Sequence, residues 1–228
     1  MRLVIGNKLY SSWSMRPWLV LKAAGIPFEE EVIPLDRPDT RSRILERSPA
    51  GKVPVLIDDD VRVWETLAII EYLAEKHPGA GIWPAHRAAR AHARAICNEM
   101  HAGFQALRQA CPMNLGKRMR PKERGDAARA DIARILALWS EARARFGEGG
   151  PFLFGAFTAA DAMYAPVVSR FDTYQIAVDA PARAYMEAVM GHPAFIAWRS
   201  DALREPWIIA KYEIGETPAE VFHQPSGQ

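Results

Sequence analysis

The chain changes its pattern of apolar and polar positions about one third of the way along. Over the first 77 residues, short apolar or alternating runs interleave with helical ones. Leu3-Val4-Ile5 predicts a strand over Arg2 to Ile5. Ser14 to Ala24 reads as a helix, which Gly25-Ile26-Pro27 breaks. Phe28 to Leu35 alternates in part and predicts a second strand, and Thr40 to Arg47 a short polar helix. Val53 to Ile57 and Val61 to Trp64 flank Asp58-Asp59-Asp60, the pattern of an antiparallel hairpin. Glu65 to Lys76 then carries Leu67, Ile70, Leu73 and Ala74 at helical spacing. The order βαβαββα predicts an α/β sandwich around a mixed sheet.

Residues 78–84, rich in Pro and Gly, read as a linker. Beyond them the strand pattern stops. Ala85 to Ala110 reads as one long helix rich in Ala and Arg. Ala127 to Phe146 follows, with Ile132, Ile135, Leu136, Trp139 and Phe146 on one face. Thr158 to Tyr174, Pro181 to Met190 and Pro193 to Leu203 complete a bundle. The predicted layout is therefore an α/β domain over 1–77, an all-helical domain over 85–214, and a weakly ordered tail over 215–228. Thr158-Ala159-Ala160-Asp161 has the spacing of a capping box, with Asp in place of the usual Glu.

Composition narrows the function classes. Of the 228 residues, 49% are hydrophobic and 25% charged, which suits a folded core under an ordinary polar surface. The formal net charge of +2 gives no reason to expect a nucleic-acid partner. The arginines are scattered, often among alanines, as on solvated helix faces. No apolar run approaches a membrane span, and the start lacks the pattern of a secretory signal. Cys97 and Cys111 are too few for a disulfide framework or a metal site, so a reducing cytoplasm is expected.

The candidate chemistry sits in Tyr10-Ser11-Ser12-Trp13-Ser14-Met15-Arg16-Pro17-Trp18. Three hydroxyls lie where the first strand hands over to the first helix. Backbone N–H groups are unpaired there, and the helix dipole favours negative charge. Such a junction can hold an anion, a thiolate among others.

Four motifs in order resemble the cytosolic glutathione transferase family over essentially the whole chain. They are Ser11 to Trp18, Ser48-Pro49-Ala50-Gly51-Lys52-Val53-Pro54-Val55-Leu56, Glu65-Thr66 with the helix to Leu73, and Phe157 to Asp161. The start is similar to a serine-type bacterial subgroup with a Ser-Ser-Trp-Ser motif. The resemblance implies a thioredoxin-like N-terminal domain, a helical-bundle C-terminal domain, and a homodimer. Glutathione is the implied substrate, with a small electrophile as the second and no metal. Ser12 is the implied thiolate-stabilising hydroxyl, with Ser11 close behind, Tyr10 secondary, and Ser14 a helix cap. Pro54 is implied to follow a cis bond that leaves the backbone of Val53 free to pair with the ligand, and Lys52 to face a carboxylate. Glu65 and Thr66 are implied to hold the γ-glutamyl end. His101, Phe104 and Arg108, spaced i, i+3 and i+7, are candidates for the second-substrate pocket.

The energetics are affordable. An ordinary thiol has a pKa of about 8.5. Lowering it by about two units takes roughly 2.7 kcal/mol. One hydrogen bond to a charged group supplies about 1.5–3 kcal/mol. Trp13 stands where zeta-class relatives have Cys, which counts against maleylacetoacetate isomerase activity. A glutathione-dependent cis–trans isomerase and a non-catalytic binding protein remain the alternatives.

Overall fold

The computed structural model describes residues 1–223. The N-terminal layer runs β1 (Arg2–Ile5), α1 (Ser12–Ala23), β2 (Glu29–Val32), α2 (Thr40–Leu45), β3 (Val55–Asp58), β4 (Val61–Trp64) and α3 (Thr66–Lys76). Strand order is β2-β1-β3-β4, with β1 parallel to β2 and the other neighbours antiparallel. This is the thioredoxin-like arrangement with a mixed sheet.

Strand β1 is buried on both faces, which explains its unbroken apolar run. Leu3 and Ile5 join the large core shared with the helices, while Val4 joins Ile33, Ile44 and Val55 on the opposite side. The sheet thus separates α2 from α1 and α3. Helix α1 begins at Ser12, two residues before the expected start, because the N–H of Met15 already bonds the carbonyl of Ser11 at 3.1 Å.

The helical part runs α4 (Arg87–Ala102), α5 (Gln105–Ala110), α6 (Asp126–Phe146), α7 (Ala159–Thr173), α8 (Ala180–Met190) and α9 (Pro193–Ala202). The expected single helix over 85–110 is two. Its ladder stops at Gly103, and Phe104 turns into the left-handed region at φ 58°. The new helix start is capped from a distance, since the N–H of Leu107 donates to the Asp131 carboxylate at 2.9 Å. A capping partner 24 residues away leaves no local signal.

Nor do the strands stop at residue 84. β5 (Lys117–Met119) pairs antiparallel with β6 (Pro218–Val221). Residues 215–223, expected as part of a weak tail, are therefore tied into the fold, and the N–H of Phe222 donates to the Gly116 carbonyl at 2.7 Å. The rest of that predicted tail, 224–228, lies outside the described residues. Among the described residues no helix is long and apolar enough to cross a membrane, and no group of three His, Cys, Asp or Glu side chains could hold a metal ion.

Candidate functional site

Two adjoining cavities open where the sheet layer meets the helices. The larger, about 610 Å³, has Ser11, Ser12 and Trp13 on one wall and Arg108, Arg170 and Tyr212 on the other. The smaller, about 160 Å³, is bounded by Pro54, Glu65, Thr66 and His101. Trp13, Lys52 and Val53 border both. The structure therefore brings the N-terminal motifs to one continuous cleft.

The three serines have different fates. Ser14, expected as the cap, is fully buried within α1, where its Oγ accepts the Gly6 N–H at 3.0 Å. Ser11 is the residue at the cap position, but its hydroxyl donates to Ser14 Oγ at 2.8 Å rather than capping the backbone. Ser12 is 8% exposed. Its hydroxyl has no hydrogen-bond partner among the described residues, and it lies in the wall of the larger cavity. The N–H groups of Trp13 and Ser14 also lack acceptors there. This helix start is unfinished. Tyr10 offers no comparable donor, since its hydroxyl gives its proton to Glu213 at 2.6 Å. Burial, and then that carboxylate, push its pKa up.

A proline joins two of the motifs. Pro17 has no N–H, so the carbonyl of Trp13, four residues earlier, loses its helical partner. That carbonyl accepts the Thr66 hydroxyl at 3.1 Å. The hydroxyl proton expected to meet a ligand carboxylate is thus committed to the fold: it pins the start of α3 to the start of α1. The backbone N–H groups of Thr66 and Leu67 remain without acceptors among the described residues. Glu65 precedes them at φ 68°, a region costly for a residue with a side chain, of order 1–3 kcal/mol. It borders the smaller cavity with no cap of its own.

The Val53-Pro54 bond is cis. The N–H and C=O of Val53 have no hydrogen-bond partner among the described residues and border both cavities. Lys52 is exposed at the same edge.

The trio expected on the helical side separates, because the helix that was to carry it breaks. His101 belongs to the smaller cavity, with its ring 5.1 Å from Trp13 and its Nε2 3.9 Å from the Glu65 carboxylate. Phe104 is 7% exposed, packs into the core, and borders neither cavity. Arg108 faces the larger cavity, its Cζ 4.6 Å from the centroid of Trp13.

Three residues of the site escaped the sequence reading. Arg16 is buried beneath Trp13, 4.3 Å from its ring, and donates to the carbonyls of Ser12 and Met163. Arg170 of α7 reaches the larger cavity. Burial pushes its pKa down to about 10. Both arginines correct the expectation of solvated faces. Tyr212 stacks on Tyr10 at 5.7 Å, and its neighbour Lys211 reaches Asp36 at 3.2 Å on the cavity rim. Neither arginine lies among alanines: Met15 and Pro17 flank Arg16, and Ser169 and Phe171 flank Arg170, a largely apolar setting that was the available signal.

Comparisons with known proteins agree with this fold. Residues 10–76 match the family model described as "Glutathione S-transferase, N-terminal domain", and residues 122–200 match "Glutathione S-transferase, C-terminal domain". Together they cover more than half of the chain. A probable maleylacetoacetate isomerase from Caenorhabditis elegans is 38% identical over 103 residues, 43% of this chain and 48% of that protein. A maleylacetoacetate isomerase from Rhizobium meliloti is 52% identical over 52 residues, 23% of this chain and 24% of that protein. The matched stretches thus span about half or less of these curated relatives. A glutathione transferase homologue from Burkholderia, solved with bound glutathione, superposes with a TM-score of 0.69 at 25% identity. That likeness covers 88% of this chain and 97% of the other.

Proposed function

This chain belongs to the glutathione S-transferase family, and from that premise we propose that it is a glutathione transferase. The observation that carries the reading is the unpartnered hydroxyl of Ser12 at an uncapped helix start, in the wall shared with Val53 and Trp13. Glutathione would lie across the two cavities. Its cysteinyl backbone would pair with Val53, and its γ-glutamyl carboxylate would meet the free N–H groups of Thr66 and Leu67. Its ammonium would face Glu65, and its glycyl carboxylate Lys52.

The thiol would then sit beside Ser12. The Ser12 hydroxyl and the start of α1 would hold it as thiolate, the proton passing to solvent. With an aryl halide, sulfur forms a bond to the ring carbon, the carbon–halogen bond breaks, and halide leaves. No enzyme nucleophile takes part. Ser11 is the weaker candidate, because its proton is already committed to Ser14. The same reading has the enzyme working as a homodimer in a reducing cytoplasm, where the buried thiols of Cys97 and Cys111 stay free.

A second reading has a specific support. The likeness to maleylacetoacetate isomerases favours reversible thiolate addition to an alkene, followed by rotation and expulsion. Two measurements test both readings. Calorimetric titration should show glutathione binding at millimolar concentration or below, and a thioether should accumulate with 1-chloro-2,4-dinitrobenzene. No binding would end both. Turnover of maleylacetone without loss of glutathione, and no thioether, would replace the first reading by the second.

A further inference from the structure

The larger cavity holds more positive charge than glutathione has groups to meet. Beyond Lys52, two guanidinium groups face it from the helical side, Arg108 of α5 and Arg170 of α7. Neither has a carboxylate within ion-pair distance among the described residues. The side chain of Arg108 makes no hydrogen bond there and rests against the indole of Trp13. Arg170 uses Nε on the Cys111 carbonyl at 2.9 Å and Nη1 on the Pro166 carbonyl at 3.1 Å, both uncharged. Its Nη2 is unspoken for. Arg108 is half-buried and Arg170 buried, and Arg16 adds a second buried cation behind Trp13. The one carboxylate on the lining among the described residues, Asp36, is engaged by Lys211.

Charges drawn out of water are normally paired, because an unpaired one loses its hydration with nothing to replace it. Burial lowers the pKa of both Arg108 and Arg170, the signature of that cost. A cavity wall that accepts it with no internal counter-ion is matched to an anion from outside. The glutathione groups do not supply one at this place: the glycyl carboxylate is met by Lys52, and the γ-glutamyl end lies in the smaller cavity beyond Trp13.

We propose that the second substrate is an electrophile that itself carries a carboxylate, received by Arg108 and Arg170 alongside the indole of Trp13. This rests on the glutathione transferase reading and narrows it to acidic electrophiles. Arg108 supplies a free planar fork suited to two-pronged carboxylate recognition, with Arg170 the neighbouring charge.

The test uses two ligands that differ only in that charge: S-(4-carboxy-2,6-dinitrophenyl)glutathione and the methyl ester of its benzoate group. Both are titrated calorimetrically into the full chain, so no turnover is needed. The acid should bind at least about 10-fold more tightly than the ester, the scale of one charge-assisted contact. In Arg108→Leu the ratio of the two dissociation constants should fall to within about 2-fold, and Arg108→Lys should restore part of it. Equal affinities in the unaltered protein would overturn the proposal without recourse to any variant. A loss in Arg108→Leu that is the same for acid and ester would also overturn it, since the arginine would then serve the sulfur or the fold. Glutathione titrated alone separates the two levels. If it fails to bind, the transferase reading falls and takes this one with it. If it binds and the conjugates do not differ, only the acidic electrophile is lost.

Discussion

Two helix starts in this molecule draw on the same residue types and end in opposite states. At α7 the Thr158 hydroxyl accepts the Ala160 N–H at 3.3 Å, and the Asp161 carboxylate accepts the Thr158 N–H at 2.8 Å and the Leu153 N–H at 3.0 Å. Every group is buried and engaged. At α1 the first turn has no acidic residue to reach back, Ser11 turns its hydroxyl to Ser14, and Ser12 is left without a partner. The difference is a cap hydroxyl turned to accept a helix N–H, which Thr158 provides and Ser11 does not. With it, the start closes on itself and contributes stability. Without it, donors remain for a ligand, at the edge of a cavity. A hydroxyl at a helix start therefore does not reveal its role until its partner is known.

The comparison can be broken most sharply at the closed start. Asp161→Ala leaves two buried N–H groups without an acceptor, and should cost about 3 kcal/mol of stability, or a fall of roughly 6–12 °C in Tm for a chain of this size. Glutathione affinity of the folded fraction should change little. A Tm within 2 °C of the parent would show that the box is not what holds α7.

The open start should behave the other way. Ser12→Ala should lower kcat/KM with 1-chloro-2,4-dinitrobenzene at pH 7 by about 10–100-fold, the worth of one hydrogen bond to a charge, while Tm moves little. The pKa of the bound thiol, read from thiolate absorbance, should rise by about one to two units, so the deficit should shrink as pH is raised. An unmoved thiol pKa would remove Ser12 from the chemistry. Ser11→Ala should have a smaller effect, about 3-fold or less on kcat/KM, because its proton already serves Ser14. A larger effect than that of Ser12→Ala would exchange their roles.

The smallest effect concerns what steadies the open start from below. The Glu205 carboxylate accepts the N–H groups of Lys8 and Leu9 at 2.7 and 3.2 Å, just ahead of the serines. Burial raises its pKa from 4.5 to about 7. A carboxyl raised in the folded state is stabilising when protonated, so its contribution is full below pH 4.5 and is lost as pH rises through 7. Urea unfolding between pH 5 and 8 should show this decline, and Glu205→Gln should flatten it. An identical slope in both would place the pH dependence elsewhere.

Much of the molecule was legible along the chain. The run Leu3-Val4-Ile5, the Asp58-Asp59-Asp60 turn and the Thr158–Asp161 spacing are local devices, and each produced the element it predicted. The motifs that meet at the cleft were also visible, because each marks a strand or helix end. The misreadings share a cause. The break at Gly103-Phe104, the pairing of β5 with β6, and the inward turn of Arg16 and Arg170 all depend on partners dozens of residues away. His101, Phe104 and Arg108 looked like one face only while the helix was taken as continuous.

The sequence by itself determined the order of the N-terminal elements, the family, and the places where backbone donors would be left over. Hydrophobic period, caps and prolines act over a few residues and can be read there. Only the tertiary structure decided which of three neighbouring serines keeps a free hydroxyl. That choice turns on Ser14 meeting the N–H of Gly6 across the strand-to-helix turn. It decided likewise that Thr66 fastens to the carbonyl Pro17 leaves open, and that two arginines turn toward a cavity where, among the described residues, neither meets a carboxylate. Hydrogen-bond partners and buried charges are settled by what lies across the core, and spacing along the chain does not carry that distance.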